Sequence, residues 1–503
     1  IKKLNYFYKK TKHLNMNRKE SKSRRNFIKK TGVMGTGVFI VPRNVLGGVG
    51  FTAPSDQLAL AAVGSGGKGT SDISNAYQSG KNKVVALCDV DPDVAKSSYE
   101  AHISANKYVD YREMLDKEKD IDALTISTPD HNHAKIAYDC MNRGIHVYVQ
   151  KPLTHTIAEA RLLAQTAEKN KIVTQMGNQG GSSIGVPKIK EWVDQNKIGK
   201  VHTIYAWTNR PVWPQGINHP GPNTTKKPKN LNWDLWLGTA KSKPYSPGLH
   251  TFDWRGFWEY GTGALGDIGC HTLDAPYKVL KLGYPSSVEC TATNVFKKMW
   301  TPEYTPEGCP ISSMVTLDYK NSPHNKNGIK LIWMDGGLTP TIPEEIHDEF
   351  IMDFDMGNSS GIMMLGTKGV ITAEIYANNP TLYIKGEEPV VYDTSNQPNV
   401  NDVHASTWTE ACKAGFGSTE HKNLTSSFDY SGPFTETVIM GNLALRSRDF
   451  RKEVGTRGNG RKIMKYFGRK KLLWDGPNMK ITNLEEANAF VSKEYRQGWG
   501  LPI

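Results

Sequence analysis

A glycine-rich segment constrains the fold of this chain more than any other feature of its sequence. The apolar run Leu58–Val63 is followed at once by Gly64-Ser65-Gly66-Gly67-Lys68-Gly69. A short apolar run predicts a buried strand, and glycines at the first, third and sixth positions permit a tight turn, a close approach of the backbone to a bound group, and close packing of a helix on the strand. The segment therefore predicts a strand, a sharp turn and a helix that open a parallel α/β sheet.

The same alternation continues along the next hundred residues. Four more short apolar runs follow, namely Lys83–Cys88, Ala123–Ser127, His146–Val149 and Ile172–Met176. Two of the segments between them, Ala134–Arg143 and Ile157–Asn170, carry apolar residues at helical spacing. Buried strands that alternate with helices indicate a doubly wound parallel sheet. We expect this domain to span residues 56–180.

An acidic residue at the end of the second predicted strand indicates what this sheet binds. Asp89 lies twenty residues after Gly69. At this position a carboxylate accepts hydrogen bonds from the adenosine ribose of a dinucleotide, and its charge repels the additional phosphate of NADP. The sequence therefore predicts a Rossmann domain that binds NAD.

After about Gly180 the pattern of the sequence changes. A predicted helix and a first strand lead into a segment rich in Pro, Asn and Trp that runs to about Trp258, and three further runs are typical of strands. These elements are the helix Pro187–Asn196 and the strands Val201–Trp207, Ser313–Tyr319, Ile329–Met334 and Val370–Ile375. Strand runs separated by polar turns favour an α+β domain on a mostly antiparallel open sheet. We expect this second domain to span residues 181–503 and to bind substrate and support oligomers.

The net charge of +13 does not indicate a nucleic-acid-binding protein, because most of it lies in the first thirty residues. These hold twelve Lys or Arg against one acidic residue, Glu20, which leaves 51 basic and 49 acidic residues in the rest of the chain. A nearly neutral body presents no strong phosphate-binding surface. We therefore expect no nucleic-acid partner.

The basic segment resembles a twin-arginine export signal. It contains Ser23-Arg24-Arg25-Asn26-Phe27-Ile28-Lys29, and the weakly apolar stretch Thr31–Pro42 that follows is too short to span a bilayer. We expect Met16 to be the initiator, residues 1–15 to lie upstream of the translated chain, and residues 16–50 to form the signal region. The mature chain is expected to begin between Val45 and Pro54, with a periplasmic or cell-envelope location and no membrane span elsewhere.

The six cysteines are scattered and include no C-x-x-C pair. This spacing argues against a structural zinc site or a disulfide-rich scaffold, and it leaves a single disulfide after export open.

Two motifs lie at the carboxyl ends of predicted strands, where ligands bind in parallel sheets. One is Ser127-Thr128-Pro129-Asp130-His131-Asn132-His133, and the other is Gln150-Lys151-Pro152. The paired histidines have no matching carboxylate or cysteine cluster, so a histidine that packs the following helix is favoured over a metal ligand. Lys151 can point into the cofactor cleft, although a Lys-Pro pair is also common in turns. We expect no bound metal.

Two further motifs lie in the second domain. Asp267 and His271 are four residues apart and share one face if the segment is helical. A carboxylate beside an imidazole favours its charged form and orients the ring, which suits a proton acceptor, although a structural pair has the same spacing. Upstream lie His250, Trp254 and Arg255. Aromatic faces stack on sugar rings and Arg or His binds hydroxyls, whereas core packing is the alternative for each tryptophan.

Taken together, these residues resemble the glucose–fructose oxidoreductase / inositol dehydrogenase (Gfo/Idh/MocA) family, in its exported bacterial branch. The likeness runs from about Gln57 to Ile503. It rests on the Gly64–Gly69 loop, Thr128-Pro129 with His133, Lys151-Pro152, Trp233–Gly238, Trp254-Arg255, Gly261–His271, Asn442–Arg446 and Tyr495–Trp499. The resemblance implies a Rossmann domain and an α/β domain whose open sheet often supports oligomers, here a homodimer or homotetramer.

The resemblance also assigns roles to residues. The family's catalytic residues are the lysine of a Glu-Lys-Pro motif and an Asp and a His four residues apart. In this sequence they match Lys151, Asp267 and His271. The expected cofactor contacts are Gly64, Gly66, Gly67, Lys68, Gly69, Asp89, Thr128, Pro129, His133, Gln150 and Lys151, and the expected substrate contacts are His250, Trp254 and Arg255.

This sequence departs from the family pattern at two places. Gln150 stands where the family has Glu, which removes a charge beside the lysine. The basic run Arg451–Lys471 looks like an insertion, and we interpret it as a solvated surface loop.

We expect an NAD(H)-dependent oxidoreductase that transfers a hydride between a sugar or polyol and a tightly retained nicotinamide. A first alternative is an NAD-dependent glycosidase, since some relatives oxidise a sugar transiently, eliminate the aglycone and return the hydride. A second alternative is a non-catalytic sugar-binding Rossmann protein, which the presence of Lys151, Asp267 and His271 disfavours.

Overall fold

The apolar runs in the first part of the chain form a parallel sheet, as predicted. Its strands are β1 (Ala59–Val63), β2 (Lys83–Cys88), β3 (Asn106–Tyr108), β4 (Ala123–Ile126), β5 (His146–Val149) and β6 (Thr174–Met176), and its helices are α1 (Lys68–Tyr77), α2 (Lys96–Ala101), α3 (Tyr111–Lys117), α4 (Asp130–Met141) and α5 (Ile157–Asn170). The strands lie in the order β3-β2-β1-β4-β5-β6, and all neighbours run parallel. This is the doubly wound sheet of a Rossmann fold.

The computed structural model describes residues 56–221, 225–320, 322–346 and 360–503. The predicted export signal and the predicted mature start lie outside these residues. One compact unit comprises Ser55–Ile503. Of the helices in the described ranges, none is long and apolar enough to cross a membrane.

A second, ten-stranded sheet occupies the rest of the unit. Its strands and those of two small hairpins are β7 (Val201–Trp207), β8 (Ser287–Ala292), β9 (Phe296–Lys298), β10 (Thr301–Pro302), β11 (Ser313–Tyr319), β12 (Ile329–Met334), β13 (Gly361–Gly366), β14 (Gly369–Glu374), β15 (Thr381–Ile384), β16 (Val390–Val391), β17 (Arg451–Thr456), β18 (Lys462–Tyr466), β19 (Leu472–Asp475) and β20 (Lys480–Ile481). The order is β16-β15-β14-β13-β7-β12-β11-β8-β19-β20. Only the β7–β12 pair in this sheet is parallel.

In the described ranges, seven further helices follow α5 along the chain. They are α6 (Gly185–Asp194), α7 (Trp233–Leu237), α8 (Gly263–Thr272), α9 (Asp274–Leu280), α10 (Val400–Ala414), α11 (Thr419–Lys422) and α12 (Phe428–Ser447). Short 3-10 turns cover Gln78–Gly80, Gln179–Ser182, Asp253–Gly256, Glu344–Ile346, Ile375–Ala377 and Glu485–Phe490. The α+β architecture and the mostly antiparallel sheet are as predicted.

Several boundaries agree with the sequence prediction, and the differences have local causes. The helix predicted at Ala134 begins four residues earlier, at Asp130. Pro129 is its N-cap residue, and the acidic side chain of Asp130 in the first turn favours a helix start there. By contrast, α5 begins where predicted because Thr156 and Glu159 form a capping box. The prediction missed β3, whose three residues are half or fully exposed and give no apolar signal.

One helix from late in the chain completes the Rossmann domain. In α10, Trp408, Ala411 and Cys412 join Leu60 and Leu87 in one buried cluster on a face of the first sheet. The Nε2 of Gln78 donates to the hydroxyl of Thr409 at 2.7 Å, which fixes α10 beside α1. Residues beyond 181 therefore cover part of the first sheet as well as building the second.

The basic run Arg451–Lys471 forms a hairpin with a shift in register between Glu453 and Gly455, not the loop that we expected. Strands β17 and β18 pair antiparallel, and most of their side chains are exposed. All six cysteines lie in the described ranges and are free.

Candidate active site

The glycine loop forms a cradle at the start of α1. Gly64 has a φ of +78°, and a Cβ there would lie 2.7 Å from the backbone of Ser127, so only glycine fits this turn. A Cβ on Gly69 would lie 1.8 Å from the carbonyl oxygen of Gly64, because α1 packs directly on the turn. A Cβ on Gly67, by contrast, would meet nothing within 4 Å. The loop therefore leaves room for a pyrophosphate at the N-terminus of α1.

Asp89 lies beside this cradle at the end of β2. Its Oδ2 accepts a hydrogen bond from the backbone N–H of Gly66 at 3.0 Å, and its Oδ1 accepts one from Asp91 at 2.9 Å. Burial raises the pKa of Asp89 to about 6, although these backbone hydrogen bonds oppose the rise. The side chain is thus mostly a carboxylate near pH 7, as ribose binding and rejection of a further phosphate require. The cradle and Asp89 together fit NAD.

Lys151 and Asp267 meet between the two sheets. Lys151 follows β5, and its Nζ donates to Oδ1 of Asp267 at 2.8 Å and to the main-chain oxygen of Asp267 at 2.5 Å. The Nε of Arg255 lies 3.4 Å from the same Oδ1. Burial favours the neutral acid, but the charges of Lys151 and then Arg255 lower the pKa of Asp267 to about 2. Asp267 is therefore a fixed negative charge that orients Lys151.

His271 lies one helical turn after Asp267, but the two side chains are not paired as we expected. The Asp267 carboxylate is bound by Lys151 and Arg255, and the buried Nδ1 of His271 has no hydrogen-bond partner in the described part of the chain. The ring packs edge-on against Tyr376, with 4.8 Å between ring centroids. Burial and then the charge of Lys151 lower the pKa of His271 well below its usual value. The imidazole is thus neutral at pH 7, chiefly because it is buried, and the expected pairing that would favour its charged form is absent because Lys151 and Arg255 bind the Asp267 carboxylate.

Trp254 and Arg255 lie next to this cluster. The Arg255 guanidinium carbon is 4.3 Å from the centre of the Trp254 ring and 4.7 Å from that of Phe252. Trp254 is buried in an aromatic cluster, so its main contact is with the protein, and it holds Arg255 in place. Both residues line the cavity, and Arg255 offers the polar group.

His250 lies elsewhere in the site. Its Nε2 is 3.3 Å from Oδ2 of Asp91, two residues after Asp89. It therefore lies beside the carboxylate expected to bind ribose. We expected His250 to contact the substrate, but the structure places it at the nucleotide end of the cavity.

His133 is not placed to contact a cofactor, contrary to expectation. It is buried, and its ring nitrogens face the carbonyl oxygens of Pro152 at 2.9 Å and Thr128 at 2.7 Å. His131 is held in the same way between the carbonyls of Tyr260 and Trp236. Both rings join loops to the start of α4, which is the packing role weighed for them from the sequence. Thr128 and Pro129 do line the cavity.

Gln150 contacts a charge that the sequence analysis did not identify. Its Nε2 donates at 2.8 Å to Oδ2 of Asp72, a buried residue of α1. The same Oδ2 accepts a hydrogen bond from the hydroxyl of Ser127 at 2.8 Å. The other oxygen, Oδ1, lies 2.8 Å from the Nζ of Lys68 and forms an ion pair with it. A glutamate at position 150 would bring two carboxylates into contact, so the departure from Glu-Lys-Pro is explained by Asp72.

Another carboxyl that the sequence analysis did not assign lines the cavity. Asp130 is buried at the start of α4, and its Oδ2 accepts a hydrogen bond from the hydroxyl of Thr262 at 2.7 Å. Burial raises the pKa of Asp130 to about 7, although Thr262 and Arg255 oppose the rise. Its position directly after Thr128-Pro129 was the only available signal.

These residues surround one cavity of about 420 Å³. Its walls include Gly64, Gly66, Gly67, Lys68, Asp89, Lys151, Asp267 and His271, so the structure brings these predicted cofactor and catalytic residues together, whereas Gly69 and His133 are not among the walls. Further wall residues, to which the sequence analysis gave no role in the site, are Gln179, Leu235, Trp236, Tyr376 and Trp499.

Comparison with known proteins agrees with this geometry. Residues 58–178 match the sequence model of an oxidoreductase family with an NAD-binding Rossmann fold, and residues 189–297 match the C-terminal alpha/beta domain of the same family.

Two curated relatives match part of the chain. A levoglucosan dehydrogenase from Pseudarthrobacter phenanthrenivorans is 26% identical over 222 residues, which cover 44% of this chain and 46% of that protein. A glycosyl hydrolase family 109 protein from Shewanella pealeana is 27% identical over 191 residues, which cover 33% of this chain and 41% of that protein. The chain thus spans less than half the length of these relatives.

Among solved structures, the WlbA dehydrogenase from Bordetella pertussis, in complex with NADH and UDP-GlcNAcA, shares the fold. The TM-score is 0.53 at 14% identity, over 78% of this chain and 97% of that one.

Proposed function

Because the chain belongs to the Gfo/Idh/MocA oxidoreductase family and carries its NAD-binding Rossmann fold, we propose that it is an NAD(H)-dependent oxidoreductase acting on a CH–OH group of a sugar or polyol. The observation that carries the proposal is the Lys151–Asp267 ion pair, which lies in one cavity with His271 and the nucleotide cradle. The name of one relative, levoglucosan dehydrogenase, is in keeping with a substrate of this class.

Each polar side chain at this end of the cavity has a distinct task. NAD, when bound, supplies a nicotinamide that accepts or returns a hydride. His271 is neutral at pH 7 and takes the proton of the reacting hydroxyl. Lys151 gives two N–H groups to Asp267, and its third donates to the oxygen as negative charge develops there. In the reverse direction the same groups protonate the oxygen of a keto sugar.

Replacement of His271 tests the assignment. We expect His271→Ala to lower kcat by about 10²–10⁴-fold, because proton transfer loses its base, while NADH still binds. His202→Ala, at an exposed position, is the matched control. Turnover of the His271 variant at the rate of the control would contradict the assignment.

We further propose that NAD stays bound between turnovers. The support is that residues from outside the Rossmann sheet, including Leu235, Trp236 and Trp499, form walls of the cavity. Mass spectrometry of the small molecules released from natively purified protein tests this: NAD at close to one equivalent is expected, and a nucleotide-free preparation contradicts it.

A second candidate function is an NAD-dependent glycosidase, which oxidises the sugar, eliminates the aglycone and returns the hydride. The match to a glycosyl hydrolase family 109 protein favours it, and Asp130 offers a second acid–base group in the cavity. Aryl and natural glycosides supplied to the purified protein without added NAD separate the two functions. Catalytic release of aglycone supports the glycosidase, and a keto sugar in amounts stoichiometric with NAD supports the oxidoreductase.

We propose export to the periplasm or cell envelope through Arg24 and Arg25. A route that carries folded proteins suits an enzyme that takes its nucleotide with it. Arg24→Lys/Arg25→Lys should retain the protein in the cytoplasm, as cell fractionation would show, and unchanged fractionation would exclude this route.

We also propose that the chain forms a dimer or tetramer through the ten-stranded sheet. The support is that one face of neighbouring central strands presents the half-buried apolar residues Tyr205, Ile332 and Met334. Light scattering on the eluted peak gives the mass, and a monomer at micromolar concentration contradicts the proposal.

A further inference from the structure

The short segment Lys493–Trp499 crosses from the second domain onto the nucleotide cavity. The buried Nζ of Lys493 lies 3.2 Å from Oε1 of Glu159 and donates to the carbonyl oxygen of His131 at 2.9 Å. The hydroxyl of Tyr495 donates to the same Glu159 oxygen at 2.9 Å. The first part of the segment is therefore anchored to the starts of α4 and α5.

The second part of the segment is anchored next to the cavity. Arg496 forms an ion pair with Asp234 of α7, and its Nε donates to the carbonyl oxygen of Gly238 at 3.0 Å. Three residues later, the Trp499 ring lies under the guanidinium of Arg112 at 4.5 Å, with its centroid 6.2 Å from that of Tyr111. Trp499 is 6% exposed and lines the cavity.

The topology shows which end of the cavity Trp499 closes. Tyr111 begins α3, directly after β3, and β3 is the edge strand beside β2. The backbone N–H of Asp89 donates to the carbonyl oxygen of Tyr108 at 3.1 Å, so the ends of these two strands are adjacent. Trp499 therefore lies on the Asp89 side of the glycine loop, away from Lys151.

Apolar side chains line this end of the cavity beside polar ones such as Asp110 and His250. Around Asp89 the cavity is lined by Val90, Val94, Val109, Leu235 and Trp499. The hydroxyl pair of a ribose binds to a carboxylate, and the base attached to the ribose stacks on an aromatic face in an apolar slot. The adenosine half of a dinucleotide therefore suits this end of the cavity.

We propose that Trp499 forms a wall of the adenine subsite and that the Lys493–Trp499 segment holds it there, so that the adenosine half of the nucleotide is bound by both domains. The inference rests on the proposed use of NAD and names residues that neither the glycine motif nor Asp89 indicates.

Ligand fragments test the inference in the full-length protein freed of nucleotide. Trp499→Ala should raise the Kd for NADH and for ADP-ribose by about tenfold, since base–aromatic stacking contributes on that scale. The Kd for nicotinamide mononucleotide, which has no adenosine, should not change. Trp499→Phe keeps an aromatic face and should stay within about threefold of the unmodified protein. Calorimetry measures each Kd directly.

Trp300→Ala is the matched control, because that tryptophan is 84% exposed on the β9–β10 hairpin. Arg496→Ala leaves Trp499 in the sequence but removes its anchor, so it should also raise the Kd for ADP-ribose. This second variant keeps the test valid if Trp499→Ala does not fold. If Trp499→Ala binds ADP-ribose with the same Kd as the Trp300 control, the inference is wrong and the proposed function stands. If Trp499→Ala does not fold, the same result for Arg496→Ala has the same meaning. Failure of the unmodified protein to bind either NADH or ADP-ribose would overturn the proposed function as well.

Discussion

The two ends of the cavity bind their parts of a ligand by different physical means. At the nucleotide end, a backbone cradle, apolar side chains and the carboxylate of Asp89 provide shape. At the reactive end, Lys151, Arg255 and Asp267 form a half-buried charged cluster next to a neutral imidazole. Shape complementarity gives affinity, whereas fixed charges act on the charge that develops during the reaction. Mutations at the two ends should therefore affect different measured quantities.

The largest expected effect is at the reactive end. Lys151→Met removes the ammonium while roughly keeping the length of the side chain, and kcat should fall by about 10³-fold because the developing oxyanion loses its donor. The Kd for ADP-ribose should change by less than about threefold, because Lys151 lies away from Asp89. Steady-state kinetics and calorimetry give the two numbers. Equal losses in both would mean that the ends are not separable.

Gln150 connects the two ends, since it precedes Lys151 and contacts Asp72 of the helix that follows the glycine loop. Gln150→Glu places a second carboxylate beside Asp72 and should lower the free energy of unfolding by about 2 kcal/mol at pH 7. Chemical denaturation measures the loss. Adding Asp72→Asn should restore most of it, and a double variant as unstable as the single one would refute the explanation from charge.

At the nucleotide end, Asp89→Ala should raise the Kd for NADH by about thirtyfold, since two charge-assisted hydrogen bonds to the ribose are lost. Its kcat at saturating NAD should stay within about threefold. The same variant should bind NADPH no worse than the unmodified protein does, because a repelling charge is removed. A large loss in kcat with unchanged affinity would place Asp89 at the wrong end.

The smallest expected effect is a pH dependence. The pKa of Asp89 is raised to about 6, so the carboxylate is present above that pH and is protonated as the pH falls through 6. The Kd for ADP-ribose should be constant above pH 7 and rise about tenfold by pH 5. Asp130, whose pKa is raised to about 7, accepts a hydrogen bond from Thr262 of the second domain and is a separate group of the cavity. Asp89→Asn should abolish the dependence, and its persistence would point to another group.

The nucleotide end was largely predictable because its determinants are close together in the sequence. The segment from Ala59 to Asp89 is one strand–helix–strand unit, and Gly64 and Gly69 each answer a local steric demand. The reactive cluster could be listed from the family resemblance but not paired, because Lys151 and Asp267 are 116 residues apart and the competition for Asp267 depends on tertiary contacts. His250 and Trp499 illustrate the same limit. Neither has a neighbouring motif that tells which end of the cavity it reaches.

Helix α10 has a consequence for the order of events during synthesis. The apolar face formed by Leu60 and Leu87 is covered in part by Trp408 and Cys412, more than three hundred residues later. At about 5–20 residues per second, a ribosome needs on the order of half a minute to make the intervening chain. During that time the nascent sheet keeps an uncovered apolar face, which is where a ribosome-associated chaperone would bind.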